Sequence, residues 1–149
     1  MKKGHIFVGI QFALILSIIF SPSENEVFNL QRELGWFLVI LGSLGILVSM
    51  KQLGSALTAL PESKPEASFV TSGIYKFVRH PIYSFLILLT LGVALEKSSL
   101  VALLFFCLLF LLLQLKYRYE DRLLRSKWSE AEKYQECTPA LFPKLRRKN

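Results

Sequence analysis

Cysteine is nearly absent from this chain, and the two present are ill suited to each other: Cys107 lies inside an apolar block and Cys137 in a basic tail. A disulfide framework is therefore excluded, and neither cysteine has a CxxC or histidine partner at metal-ligand spacing. Acidic residues are also scarce, 11 against 18 Lys plus Arg, for a net charge of +7. Internal repeats and low-complexity segments are missing. With 52% hydrophobic residues the chain has too much apolar content for disorder, and that content comes in long blocks, which argues against a compact water-soluble domain. The 149 residues suit a single domain of ordinary size, embedded in a membrane.

Four apolar blocks stand out: His5 to Phe20, Leu34 to Met50, Ile82 to Leu95 and Ser98 to Leu115. At about 1.5 Å per residue, the second and fourth cross or nearly cross a hydrocarbon core of roughly 30 Å, while the first and third are short. Pro81 fits the first turn of a helix, so the third helix is expected to start there and to end near a turn at Glu96-Lys97. The first block also has the Lys2-Lys3 start of a signal peptide. However, Phe20 follows the run directly, and the one small-residue site, Ser21-Pro22-Ser23, has a proline in its middle.

Charge gives the expected orientation. The amino terminus has Lys2 and Lys3; Ser21 to Glu33 is net −2; Lys51 to His80 has four bases against two acids; Lys116 to Asn149 has ten against five. Basic segments alternate with neutral or acidic ones, so the positive-inside rule puts both termini and the middle loop in the cytoplasm, with four crossings between them. The positive charge then reads as topology and affinity for membrane lipids, not for nucleic acid. Gln11 is expected to hydrogen-bond between helices, and Gly35, Gly42, Gly45 and Gly54 to mark close helix packing. Beyond Leu115, Tyr117, Leu124, Trp128 and Ala131 recur at helical spacing, which predicts an amphipathic cytoplasmic extension of the fourth helix to about Tyr134.

Two polar clusters flank the third and fourth blocks: Thr71 to Tyr83, and Lys116 to Asp121. A hairpin turn at Glu96-Lys97 brings them level at one membrane boundary, with Lys116 to Asp121 opposite Tyr75 to His80. Arg79 and Lys76 also suit positive-inside anchors, and Glu120-Asp121 a solvated pair at a helix exit.

The run Thr71-Ser72-Gly73-x-Tyr75, Arg79-His80-Pro81-x-Tyr83, then Glu120-Asp121-x-x-Leu124 with Trp128, Tyr134 and two prolines, resembles the isoprenylcysteine carboxyl methyltransferase family, which is similar to the phospholipid N-methyltransferases. The resemblance covers residues 51–143, about 60% of the chain. It implies an integral membrane enzyme with S-adenosyl-L-methionine at its cytoplasmic end and a lipophilic small-molecule acceptor entering from the bilayer. Carried over, the cofactor contacts are Tyr75, His80, Pro81, Ile82, Tyr83, Glu120 and its neighbour Asp121, with backbone near Ala67 to Val70. Lys116 takes the position of a basic residue that contacts substrate, and with Arg79 it is the candidate catalytic cation that orients an anionic acceptor. Leu104, Phe105 and Leu108 are the expected lipid-side route. The chain departs from the family pattern at Ile74 (usually Pro), Phe85 (usually small), Asp121 (usually Glu) and Ser129 (usually Gly).

Chemically the set suits the cofactor: His80 and Tyr83 can donate to a carboxylate, Glu120 can accept from a diol or ammonium, and Tyr75 offers a flat face. Two alternatives stay open. An NADPH-dependent sterol-type reductase should show extra basic residues near Leu60 to Ser72, where there are few, and a small membrane scaffold should not bind S-adenosylmethionine.

Overall fold

The structure, a computed structural model, describes residues 2–23, 29–61 and 68–143. Those residues form five α-helices and no strand: α1 (Lys2–Ile19), α2 (Asn29–Leu53), α3 (Pro81–Lys97), α4 (Leu100–Lys127) and α5 (Ala131–Cys137). Single 3-10 turns cover Gly54–Ala56 and Gly73–Lys76.

Pro81 opens α3 as expected. Its missing N–H costs nothing in a first turn, and His80 occupies the preceding cap position. The hairpin to α4 falls slightly later than expected. Ser98 takes a left-handed conformation (φ 51°), and the Ser99 hydroxyl accepts from the Ala102 N–H at 3.3 Å, capping α4.

Of the four expected crossings, two have the length and apolar composition to span a bilayer: 29–56, which is α2 with the turn that follows it, and α4, each 28 residues or about 42 Å. At 18 and 17 residues, α1 and α3 reach only about 27 and about 26 Å. The outer faces of the two long helices, including Phe37, Leu44, Leu104 and Leu111, are exposed. Such a continuous apolar surface belongs in lipid, and the protein is a membrane protein.

α2 lies along α3, and α1 along α4. Glycines set the first contact. A Cβ on Gly42 would sit 2.7 Å from the Leu89 backbone N, and one on Gly35 would sit 2.8 Å from the Gly92 carbonyl. Without a hydrophobic force between helices in lipid, close backbone approach of this kind supplies the packing. Gly45 explains Phe85: a Cβ there would lie 2.2 Å from the Phe85 ring, so the bulky ring fills the notch that the glycine leaves in α2. Gly54 plays another part than the expected one. Nothing lies within 4 Å of a Cβ there, and its φ of +54° turns the chain out of α2.

The expected extension of α4 to Tyr134 is also corrected. The helix stops at Lys127; Trp128 is extended (φ −126°, ψ 124°) and stacks on Phe69 at 5.3 Å, and the chain folds back into α5. Helical spacing across the break was real, but an aromatic contact distant in sequence outweighs it.

Candidate active site

α3 begins beside the last turns of α4, so the two polar clusters meet where the hairpin geometry puts them. Asp121 accepts from Arg79 Nη2 at 2.7 Å and pairs with His80 Nε2 at 2.8 Å. Its neighbour Glu120 accepts from the Tyr83 hydroxyl at 2.9 Å and lies 3.4 Å from His80 Nδ1. His80 is thus held by a carboxylate at each ring nitrogen, and its ring stacks on Tyr83 at 5.5 Å. One turn earlier on α4, the Lys116 ammonium is buried. It donates to Gln11 Oε1 at 2.7 Å and to the Ala59 carbonyl at 3.1 Å, and lies 5.2 Å from the centre of the Tyr83 ring.

These groups border a cavity of about 410 Å³, within the roughly 300–1,000 Å³ usual for small-molecule sites. One wall is aromatic. Phe69 stacks on Trp128 and meets Tyr134 edge-on at 5.5 Å, while the Tyr134 hydroxyl donates to the Tyr75 carbonyl. A second part of the lining is apolar and comes from Val8 and Phe12 of α1 with Met50 and Leu53 of α2. Gly73 makes the approach to Tyr75: its φ of +60° lets Gln52 Oε1 accept from the Ile74 N–H at 2.7 Å, tying the turn to the end of α2.

Burial fixes the protonation of the phenols outside the spanning helices. Tyr75 is pushed well above its ordinary range by burial and then by the Glu120 charge, and burial pushes Tyr134 up to about 12, so both stay neutral donors. For His80, burial pulls downward, but the bonds to Asp121 and Glu120 outweigh it and raise the ring to about 9. His80 is therefore an imidazolium at neutral pH.

Of the residues singled out by sequence, Tyr75, Arg79, His80, Pro81, Ile82, Tyr83, Lys116 and Glu120 all border the cavity. Asp121 does not; it stands behind His80 and Arg79. Val70 borders the cavity, whereas Ala67 lies outside the described residues. Gln11 makes the expected interhelical bond, to Lys116, and borders the cavity as well. The expected lipid-side route is corrected: Leu104 and Leu108 face outward from α4, and Phe105 packs into the core, so none reaches the cavity. The α1 and α2 contributions went unseen because apolar positions on apolar helices carry no motif. Among the described residues no three His, Cys, Asp or Glu side chains are grouped to hold a metal ion.

A profile of phospholipid methyltransferases matches residues 30–131. A cobalt-zinc-cadmium resistance protein of Cupriavidus metallidurans is 37% identical over 113 residues, which is 74% of this chain and 52% of that protein. A nickel-cobalt-cadmium resistance protein of Alcaligenes xylosoxydans xylosoxydans is 36% identical over 115 residues, 74% of this chain and 53% of that protein. The chain thus spans about half the length of these curated relatives.

Proposed function

The chain belongs to the phospholipid methyltransferase family, and on that premise we propose that it transfers a methyl group from S-adenosylmethionine to a lipophilic acceptor at the cytoplasmic membrane boundary. The observation that carries the reading is the convergence of Tyr75, His80, Tyr83 and Glu120 on one cavity, the positions at which the family resemblance puts the cofactor. The donor set fits that group. It combines a carboxylate, a cationic imidazole, neutral phenols and a flat aromatic wall in a space of small-molecule size. When bound, S-adenosylmethionine supplies an electrophilic methyl on a sulfonium. The chain's own residues then have to bind, align and keep water away, because positioning in a water-poor site supplies much of the rate of such a displacement.

Lys116 favours an anionic acceptor head. Among the described residues no carboxylate pairs with its buried ammonium, whose partners are neutral oxygens, whereas Arg79 and His80 already hold carboxylates. A carboxylate acceptor needs no base, only a cation to orient it. The acceptor's tail reaches the site between α1 and α2. These two helices scarcely touch, each being packed on another neighbour, and the apolar cavity wall they share carries the exposed Phe12 and Met50. Four crossings with cytoplasmic termini complete the proposal, because α1 and α3 lie alongside α4 and α2, and a shortfall of a few Å is met by local bilayer thinning. Reporter fusions at Pro22, Pro61, Ser98 and Pro143 should read outside, inside, outside and inside; an outside reading at Pro61 inverts the orientation.

Isothermal titration of the detergent-purified protein with S-adenosylhomocysteine tests the cofactor: saturable binding is expected, and no heat would leave the cavity to another ligand. For the acceptor, turnover of carboxylates in mixed micelles should rise with chain length, each buried CH₂ contributing roughly 0.8 kcal/mol. Phe12→Trp should flatten that rise while Leu104→Trp leaves it intact. An equal effect of the two substitutions would remove the α1–α2 route.

A further inference from the structure

Five backbone carbonyls in the last described stretch of the chain find their donors on Arg79, His80 and Ser84, in the two residues before α3 and in its first turn. The Arg79 and His80 N–H groups donate to the Pro139 and Ala140 carbonyls at 2.9 and 3.0 Å. Arg79 Nη1 donates to the Gln135 carbonyl at 2.7 Å and also to that of Thr138. The Ser84 hydroxyl donates to the Leu141 carbonyl. Residues 134–141 therefore form a strap across the start of α3, and Arg79 alone supplies three of the five bonds.

The strap ends at the cavity. Tyr134 lies at its beginning, where its ring packs edge-on against Phe69 and its hydroxyl holds the Tyr75 carbonyl, so the position of the strap sets the position of the aromatic wall. Both terminal nitrogens of the guanidinium have protein partners. Nη1 serves the strap, Nη2 serves Asp121, and Nε is buried with no partner among the described residues. Three of the four terminal N–H groups are thereby committed to the strap and to Asp121.

We propose that Arg79 is a positioning residue for the cofactor site, acting through the strap that it holds against α3 and not by touching substrate. The proposal rests on the cofactor reading above. Lysine cannot replace it: an ammonium is a single point donor, whereas this site needs a planar fork that reaches two carbonyls on one side and a carboxylate on the other. The second anchor, Ser84, stands outside the cavity and gives a second handle on the strap, its hydroxyl also lying 3.2 Å from the His80 carbonyl.

The test pairs amide exchange at Arg79, His80 and residues 135–138, 140 and 141 with titration of S-adenosylhomocysteine, in the full chain and in Arg79→Lys, Ser84→Ala and the double variant. Arg79→Lys should speed exchange of the strap and its donors at least tenfold and weaken binding about tenfold. Ser84→Ala should move both readouts in the same direction by less, and the double variant should fall short of the product of the two, because both act on one element. Weaker binding in Arg79→Lys with unchanged exchange would overturn the proposal in favour of direct contact. Faster exchange with unchanged binding would overturn it too, as would effects that multiply. Should Arg79→Lys fail to fold, Ser84→Ala and Tyr134→Phe decide by the same two readouts. A parent chain that gives no heat overturns the cofactor reading and this proposal with it, while an unaltered strap in the variants overturns the strap alone.

Discussion

Glu120→Ala and His80→Ala should each weaken S-adenosylhomocysteine binding tenfold or more, the largest effect expected from single substitutions at the cavity. A hydrogen bond involving a charged group contributes about 1.5–3 kcal/mol, and tenfold corresponds to about 1.4 kcal/mol. Glu120 is the carboxylate that borders the cavity, and its loss also strips a partner from Tyr83 and from His80 Nδ1. His80→Ala breaks the link between the two carboxylates and removes the ring that stacks on Tyr83. Both variants should remain folded, because the glycine-lined contact of α2 with α3 lies at a distance from them and the Arg79–Asp121 pair survives. Titration calorimetry reads the result. Parent-like binding in both variants would make the cluster a structural clamp for the two helices and remove it from ligand recognition.

The second large effect is on stability against pH, and its sign follows from His80. The ring's folded value, about 9, lies above its ordinary 6.5, so the folded state holds the proton more tightly than the unfolded chain does. The stabilisation is complete below about pH 6.5 and is lost as pH rises through about 9. At about 1.4 kcal/mol per unit, the contribution is on the order of 3 kcal/mol. The groups facing the ring are the two acids, Arg79 beyond Asp121, and the Tyr83 and Tyr117 rings, so the acids supply the effect. Thermal melts in detergent should be level near pH 6 and fall by several degrees toward pH 9 in the parent chain, and His80→Gln should lose that dependence. The same slope in both proteins would assign the titration to another group.

The beginning of α3 was legible because proline is a local signal: Pro81 has no N–H to lose, and its effect does not depend on what packs nearby. The meeting of Arg79-His80 with Glu120-Asp121 was legible for a related reason, since two helices joined by a tight turn must run antiparallel and a fixed rise per residue brings given positions level. Gln11 was legible as an interhelical donor or acceptor, because an amide inside an apolar helix needs a partner. Other features had no local signal. The end of α4 at Lys127 depends on Phe69, some sixty residues away, whose stacking with Trp128 outweighs a helical pattern that continues past the break.

By itself, then, the sequence determined the membrane setting, the start of α3, the family and the membership of the polar cluster, because each follows from composition, helix geometry or a motif within a short stretch. Only the tertiary structure decided that Asp121 stands behind the cavity and Glu120 beside it, that Phe85 fills the notch at Gly45, that the apolar side of the cavity comes from α1 and α2, and that the strap is bound by Arg79. Each of these is a contact between segments remote in the chain, where the partner is fixed by the facing of helices and by which buried carbonyls still need a donor. Neither is encoded at a single position.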